Sequence, residues 1–172
     1  MKIGVLSDTH ARTLGEIPAS IVRALAKADL IVHAGNFTEI AVLDGLQTLG
    51  EVKAVCGNMD SPEVKGILPE KMVFAGGGKK IGLVHGSGGP WGIADRVMKL
   101  FGDVDIIIYG HSHRACNQYV QGSLMINPGQ ARASFGMLTI NKDTPSKSLD
   151  RDLSTTGQAY PILNTYPPKR TS

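Results

Sequence analysis

One carboxylate, two amides and four imidazoles stand at the ends of short apolar runs along the chain. Asp8 and His10 follow Ile3-Gly4-Val5-Leu6, Asn36 follows Leu30-Ile31-Val32, and Asn58 follows Val52–Cys56. His85 closes Ile81-Gly82-Leu83-Val84, and His111 and His113 come after Val104–Tyr109. Imidazole together with carboxylate and amide oxygen is the donor mixture that borderline divalent metals favour, and two such ions a few Å apart clamp a phosphoryl group for in-line attack. Each residue alone has a plainer reading. An aspartate after a strand is commonly a turn or cap residue, a single histidine is commonly a satisfied core or surface group, and Asn58 beside Gly57 reads as a turn. The recurrence of the pattern carries the weight, because strand ends in an open α/β sheet meet on one rim, where such sheets bind ligands. His33, the fifth histidine, lies inside the end of its strand and reads as structural.

The elements that would position these residues follow from periodicity. Ile3 to Leu6 reads as a strand buried on both faces. Pro18-Ala19-Ser20 opens a helix carrying Ile21, Val22, Leu25 and Ala28 at helical spacing, and Thr38 to Leu49 is a second amphipathic helix stopped by Gly50. Strand, helix, strand, helix, strand implies right-handed crossovers and parallel pairing. Further on, Met72–Ala75 and Ile81–Val84 flank the glycine turn Gly76–Lys80 as a hairpin. Trp91 to Phe101 reads as a helix stopped by Gly102, Val104 to Tyr109 as a buried strand, and Ser134 to Ile140 as the last strand of the domain, after two short strands about Gln121-Gly122. From Thr144 the composition turns polar and rich in Pro, Ser and Thr. Residues 144–172 read as a disordered or loosely wrapped tail, with a docking strand near Tyr160 to Leu163 as the alternative.

Composition bounds the answer without deciding it. A chain of 172 residues at 42% hydrophobic content can bury one good core. Its 18 basic and 15 acidic residues are scattered, so the net charge of +3 gives no clustered basic face of the kind specific nucleic-acid binding needs. Lys2 precedes too short an apolar run for a signal peptide, and no stretch is long enough to span a membrane, so a cytoplasmic protein is expected. Cys56 and Cys116 have no metal-type spacing and read as buried free thiols.

The ordered set Asp8-Thr9-His10, Gly35-Asn36, Gly57-Asn58, His85-Gly86 and Gly110-His111-Ser112-His113, followed by Asn127-Pro128-Gly129, resembles the calcineurin-like metallophosphoesterase superfamily. The nearest likeness is to its small single-domain branch, which holds phosphodiesterases and the retromer scaffold subunit. The resemblance covers residues 1–143 and implies a four-layer αββα sandwich with two mixed β-sheets flanked by helices. It implies two divalent ions, Mn²⁺ foremost with Ni²⁺, Zn²⁺ or Fe²⁺ as alternatives. One ion would be held by Asp8, His10 and His113, the other by Asn58, His85 and His111, with position 36 as the bridge. A metal-bound hydroxide would then attack a small phosphoester, and a homo-oligomer is left open.

The chain departs from the family pattern at position 36, which is Asn36 where the bridging residue is aspartate. A carboxylate offers an oxygen to each ion and a negative charge, whereas an amide offers one neutral oxygen and two N–H donors. A two-metal phosphodiesterase with a weakened second site is therefore the leading reading, and a binding scaffold using the same cleft is the alternative. Asn58 and Asp60 are the candidate catalytic residues. Asp60 takes the place of the family's proton-donor histidine region and reads either as a support for a ligand such as His10 or as a turn residue. Arg12 and Arg114 are candidate substrate-binding residues because each follows a motif and carries a planar fork for phosphate. Trp91, beside Gly88-Gly89-Pro90, reads either as a stacking residue or as part of the core.

Overall fold

The computed structural model describes residues 1–140 and the backbone of the strand 160–166. Its strands are β1 (Lys2–Leu6), β2 (Leu30–His33), β3 (Val52–Ala54), β4 (Lys71–Gly76), β5 (Lys79–Val84), β6 (Ile106–Ile108), β7 (Cys116–Val120), β8 (Ser123–Asn127), β9 (Ser134–Ile140) and β10 (Tyr160–Tyr166). The helices are α1 (Ala19–Leu25), α2 (Ile40–Gln47), α3 (Pro62–Ile67) and α4 (Ile93–Met98). They build two mixed sheets of order β10-β9-β1-β2-β3 and β4-β5-β6-β8-β7. In the first, β1, β2 and β3 run parallel and β9 is antiparallel to β1. In the second, β5, β6 and β8 run parallel, with β4 and β7 as antiparallel edges.

Alternation along the strands sets the layers, since successive side chains point to opposite faces. Ile3 and Val5 of β1 and Leu30 and Val32 of β2 face Ile81, Leu83, Ile106, Ile108, Leu124 and Ile126 of the second sheet in one dry core. The opposite faces, Leu6 and Ile31, pack against Ile21 and Leu25 of α1 and Val42, Leu43 and Leu46 of α2. On the far side Val84, Ile107 and Met125 receive Ile93 and Val97 of α4. Helix, sheet, sheet, helix is therefore the four-layer αββα sandwich.

Several boundaries differ from the sequence expectation. The helices expected over 38–49 and 91–101 are shorter, at Ile40–Gln47 and Ile93–Met98. Helix α3 has no counterpart in the sequence reading: it is six residues with Val64 as its buried contact, too short to show a period, and it starts on Ser61, whose Oγ accepts from Val64 N, with Pro62 in the first turn. Cys56 is buried, but Cys116 is only half-buried, because it sits on the edge strand β7. Of the stretch 144–172, Tyr160–Tyr166 pairs in parallel with β9, and the rest lies outside the described residues. Among the described residues no helix is long and apolar enough to cross a membrane.

Candidate metal centre

The carboxyl ends of β1, β2, β3, β5 and β6 open onto one rim, and the loops that leave them are tied to one another. Asp8 N donates to Gly35 O (3.0 Å), His10 N to Asn36 O (3.1 Å) and Gly110 N to His85 O (3.0 Å). The turns are tight enough that Asp8, His10, Asn36, Thr38, His111 and His113 all take positive φ, between 45° and 84°. Outside glycine that region is sparsely used, Asn, Asp and His tolerating it best, and it clusters where a site over-determines the backbone. Two close approaches require glycine. A Cβ on Gly57 would lie 2.2 Å from Asn36 Oδ1, and one on Gly110 would lie 2.8 Å from the Ser7 side chain and 3.0 Å from Asp8 Oδ2.

Asp8, fully buried at the end of β1, is the hub. Its Oδ2 accepts from His111 N (3.0 Å), and its Oδ1 accepts from Asn36 Nδ2 (3.1 Å). The same Oδ1 lies 3.2 Å from His113 Nε2 and 3.9 Å from both His10 Nε2 and His85 Nε2. Ligand atoms of Asp8, His10 and His113 lie within 4.8 Å of one another. His10 Nε2 is buried and has no hydrogen-bond partner among the described residues, the condition expected of a nitrogen shaped to bind something other than protein. A carboxylate oxygen beside two imidazole nitrogens fits a divalent cation.

The adjoining half is built differently. His85 Nδ1 donates to Ala34 O (2.7 Å), which leaves Nε2 as an acceptor 3.0 Å from Asn58 Oδ1. Burial holds the His85 imidazole below its ordinary pKa, against the opposing pull of Asp8 and of the Ala34 carbonyl. Lone pairs from His85, Asn58 and Asp8 thus converge, which a cation would relieve. His111 packs edge-to-face on His85 with ring centroids 5.2 Å apart, as His10 does on His113 at 5.5 Å, but His111 Nε2 is bonded to Gly88 O at 2.8 Å. Asn36 is fixed by Met59, whose backbone N–H can only donate and takes Asn36 Oδ1 at 2.9 Å. The amide NH₂ is therefore turned toward Asp8 Oδ1 and toward Asn58 Oδ1 (3.4 Å), and two partly positive hydrogens occupy the place where a bridging oxygen would serve.

Asp60 lies beneath this layer, buried, with Oδ2 accepting from Gly57 N (2.7 Å) and Asn36 N (3.0 Å) and Oδ1 from Thr38 N (2.8 Å). It holds the loops that carry Asn36 and Asn58, and its hydrogen bonds are to backbone and not to His10. His33 does the same for the first loop. Gly35 N donates to its Nδ1 (3.1 Å), so the proton sits on Nε2 and is donated to Thr9 Oγ1, while the ring stacks on Phe37. Full burial keeps this imidazole well below its ordinary pKa. Burial, and then the Asp60 charge, raise the Cys56 thiol above its ordinary pKa.

The arginines fall at the margin. Arg12 pairs on the surface with Glu16 (3.3 Å), and Arg114 lies over the Trp91 ring. Sequence reasoning missed Thr9, which links His33 to the Asp8–His10 turn, and Arg96, whose guanidinium gathers the carbonyls of Ser87, Gly89 and Trp91. Neither carries a local signal, since one is a middle residue in a motif and the other a lone cation on a short helix.

This fold has known counterparts. The calcineurin-like phosphoesterase superfamily domain matches residues 1–142, and the chain belongs to that superfamily. A probable metallophosphoesterase of Methanocaldococcus jannaschii is 37% identical over 134 residues, covering 75% of this chain and 67% of that protein. Zinc-complexed Vps29 of Entamoeba histolytica matches at 33% identity with a TM-score of 0.61, covering 76% of this chain and 74% of that one. An archaeal phosphodiesterase matches at 25% identity with a TM-score of 0.63, covering 76% and 84%.

Proposed function

We propose that this protein is a divalent-metal phosphodiesterase for small diesters, with two unequal ion sites. The observation that carries the reading is the partnerless, buried His10 Nε2 within 3.9 Å of the Asp8 carboxylate, with His113 on the same oxygen. Asp8, His10 and His113 would hold the tighter ion. Asn58, His85 and His111 would hold the weaker one, since Asn36 brings N–H groups where a carboxylate would bring charge; the bond from His111 Nε2 to Gly88 O leaves Nδ1 as the ligand atom of that ring. Mn²⁺ is the first choice for a set of imidazole, carboxylate and amide donors without thiolate. When bound, such ions polarise the phosphoryl oxygens and lower the pKa of coordinated water.

The chain's own residues supply position. Asp8 fixes the geometry because both its oxygens are already oriented by His111 N and Asn36 Nδ2. Asn58 lies on the shared side of the cluster, and Asp60 holds its loop rigid from below. Water adds to phosphorus opposite the leaving oxygen and gives up a proton to solvent, the bond from phosphorus to the leaving oxygen breaks, and the released oxyanion takes a proton from solvent. The scaffold reading rests on Asn36, whose amide hydrogens weaken the second site, and on the likeness to Vps29. The test is hydrolysis of bis(4-nitrophenyl) phosphate by purified protein with Mn²⁺, Ni²⁺, Zn²⁺ or Fe²⁺. Turnover above the metal blank that disappears in chelator supports the enzyme. Metal binding with no turnover supports the scaffold.

A further inference from the structure

The chain has a single tryptophan, and it is 78% exposed. An indole so exposed gains little from folding, yet Trp91 is firmly placed. It lies in the loop between β5 and α4, where Arg96 of α4 donates Nε to Ser87 O (3.1 Å), Nη1 to Trp91 O (2.8 Å) and Nη2 to Gly89 O. One guanidinium thus gathers three carbonyls and fixes the backbone that carries the ring. The loop is also tied to the candidate metal centre through Gly88 O, which is bonded to His111 Nε2 at 2.8 Å. Arg114 lies over the indole, with its Cζ 5.5 Å from the ring centroid. Arg114 immediately follows His113, whose Nε2 is 3.2 Å from Asp8 Oδ1.

We propose that Trp91 is a specificity-determining residue that stacks a planar heteroaromatic group of the substrate, so that the preferred diesters carry a nucleobase. The inference rests on the phosphodiesterase reading and names the substrate class of that same site. The geometry supplies both halves of such a ligand's needs, a cation-binding cluster for the phosphate and, on an adjoining loop, an aromatic face backed by a guanidinium. A ring already engaged by a cation on one side stacks well on the other, and base stacking tolerates any nucleobase because every base has a π-face. A protein partner fits less well. A tryptophan at a protein interface sits in an apolar patch that excludes water, whereas the sequence neighbours of Trp91, Gly88, Gly89, Pro90 and Gly92, add no large apolar side chain to it. The scattered charge of the chain likewise favours a mononucleotide diester over a polymer.

Two measurements test this. The first compares kcat/KM for adenosine 5′-(4-nitrophenyl phosphate) and 1-O-methylribose 5-(4-nitrophenyl phosphate), which share the leaving group and the sugar and differ in the base. The Trp91→Ala substitution is expected to lower the ratio of the two by about tenfold, the scale of one base stack, and Trp91→Phe to retain most of it. A ratio within twofold of the parent protein in Trp91→Ala would overturn the proposal while leaving the phosphodiesterase reading in place. If neither diester is hydrolysed, that reading falls instead and a second measurement decides this one. Because Trp91 is the only indole, its fluorescence reports on the loop directly. Saturable quenching by the methyl ester of adenosine 5′-monophosphate but not by that of ribose 5-phosphate supports stacking, and no base-dependent quenching overturns it.

Discussion

The two halves of the cluster share a plan and differ in charge. Each pairs two imidazoles edge to face, His10 with His113 and His85 with His111. The first pair has a buried carboxylate beside it and includes a nitrogen with no hydrogen-bond partner among the described residues. Around the second stand two neutral amides, one of them presenting N–H groups inward, and a histidine already bonded to Gly88 O. The first half sets a free imidazole nitrogen beside the buried carboxylate, while the second has neutral amides at that place and shares the Asp8 charge only at 3.9 Å from His85 Nε2. A single residue, Asn36, accounts for much of this asymmetry, and it does so because the Met59 N–H dictates which way the amide faces.

The comparison breaks most completely at Asp8. Asp8→Asn keeps the shape but removes the one anion both halves share, and it should cost on the order of 10²–10³ in kcat/KM together with the tighter metal site, read by steady-state kinetics and metal titration. Next is the support below. Asp60→Asn can satisfy some but not all of the three backbone donors from Asn36, Thr38 and Gly57. Hydrogen bonds to a charged group are worth roughly 1.5–3 kcal/mol each, so denaturant unfolding in chelator should show a loss of about 3 kcal/mol.

Asn36→Asp sharpens the comparison, since its effect changes sign with metal. With Mn²⁺ the weaker site should tighten about tenfold or more by calorimetry, because a carboxylate replaces an amide beside a dication. In chelator the same protein should melt below the parent, as a second carboxylate then lies beside Asp8 with nothing to offset it. The smallest effect is acid sensitivity of the loop support. His33 is neutral in the fold with a pKa well below the ordinary value of about 6.5 that it regains on unfolding, and His85 is shifted the same way. The unfolded chain therefore binds more protons below that value, so stability in chelator is level above about pH 6.5 and falls as pH drops toward the folded pKa. His33→Gln should flatten that slope by at most one proton, measured by unfolding between pH 7 and 5.

Much of this arrangement is legible in the sequence. The apolar runs give β1, β2, the β4–β5 hairpin and β9 because burial on one or both faces writes a period into the residues. Asp8, His10, Asn36, Asn58, His85, His111 and His113 are visible as polar punctuation after those runs, and the structure gathers them on one rim. What is not legible depends on contacts between distant loops. Asp60 looks like a turn residue, and only the fold brings it under the backbone of Asn36 and Thr38. The inward turn of the Asn36 amide comes from Met59, 23 residues away. Helix α3 is invisible because one buried valine makes no period. The exposure of Trp91 and the bond from Arg96 to its carbonyl are likewise features that no local spacing announces.

The unequal pair of sites is the central claim, and anomalous diffraction from crystals soaked in substoichiometric Mn²⁺ tests it most directly. The first density is expected among Asp8 Oδ1, His10 Nε2 and His113 Nε2, with a second peak near Asn58 and His85 only at higher concentration. Equal occupancy of both positions at low Mn²⁺, or filling of the Asn58–His85 side first, would contradict it.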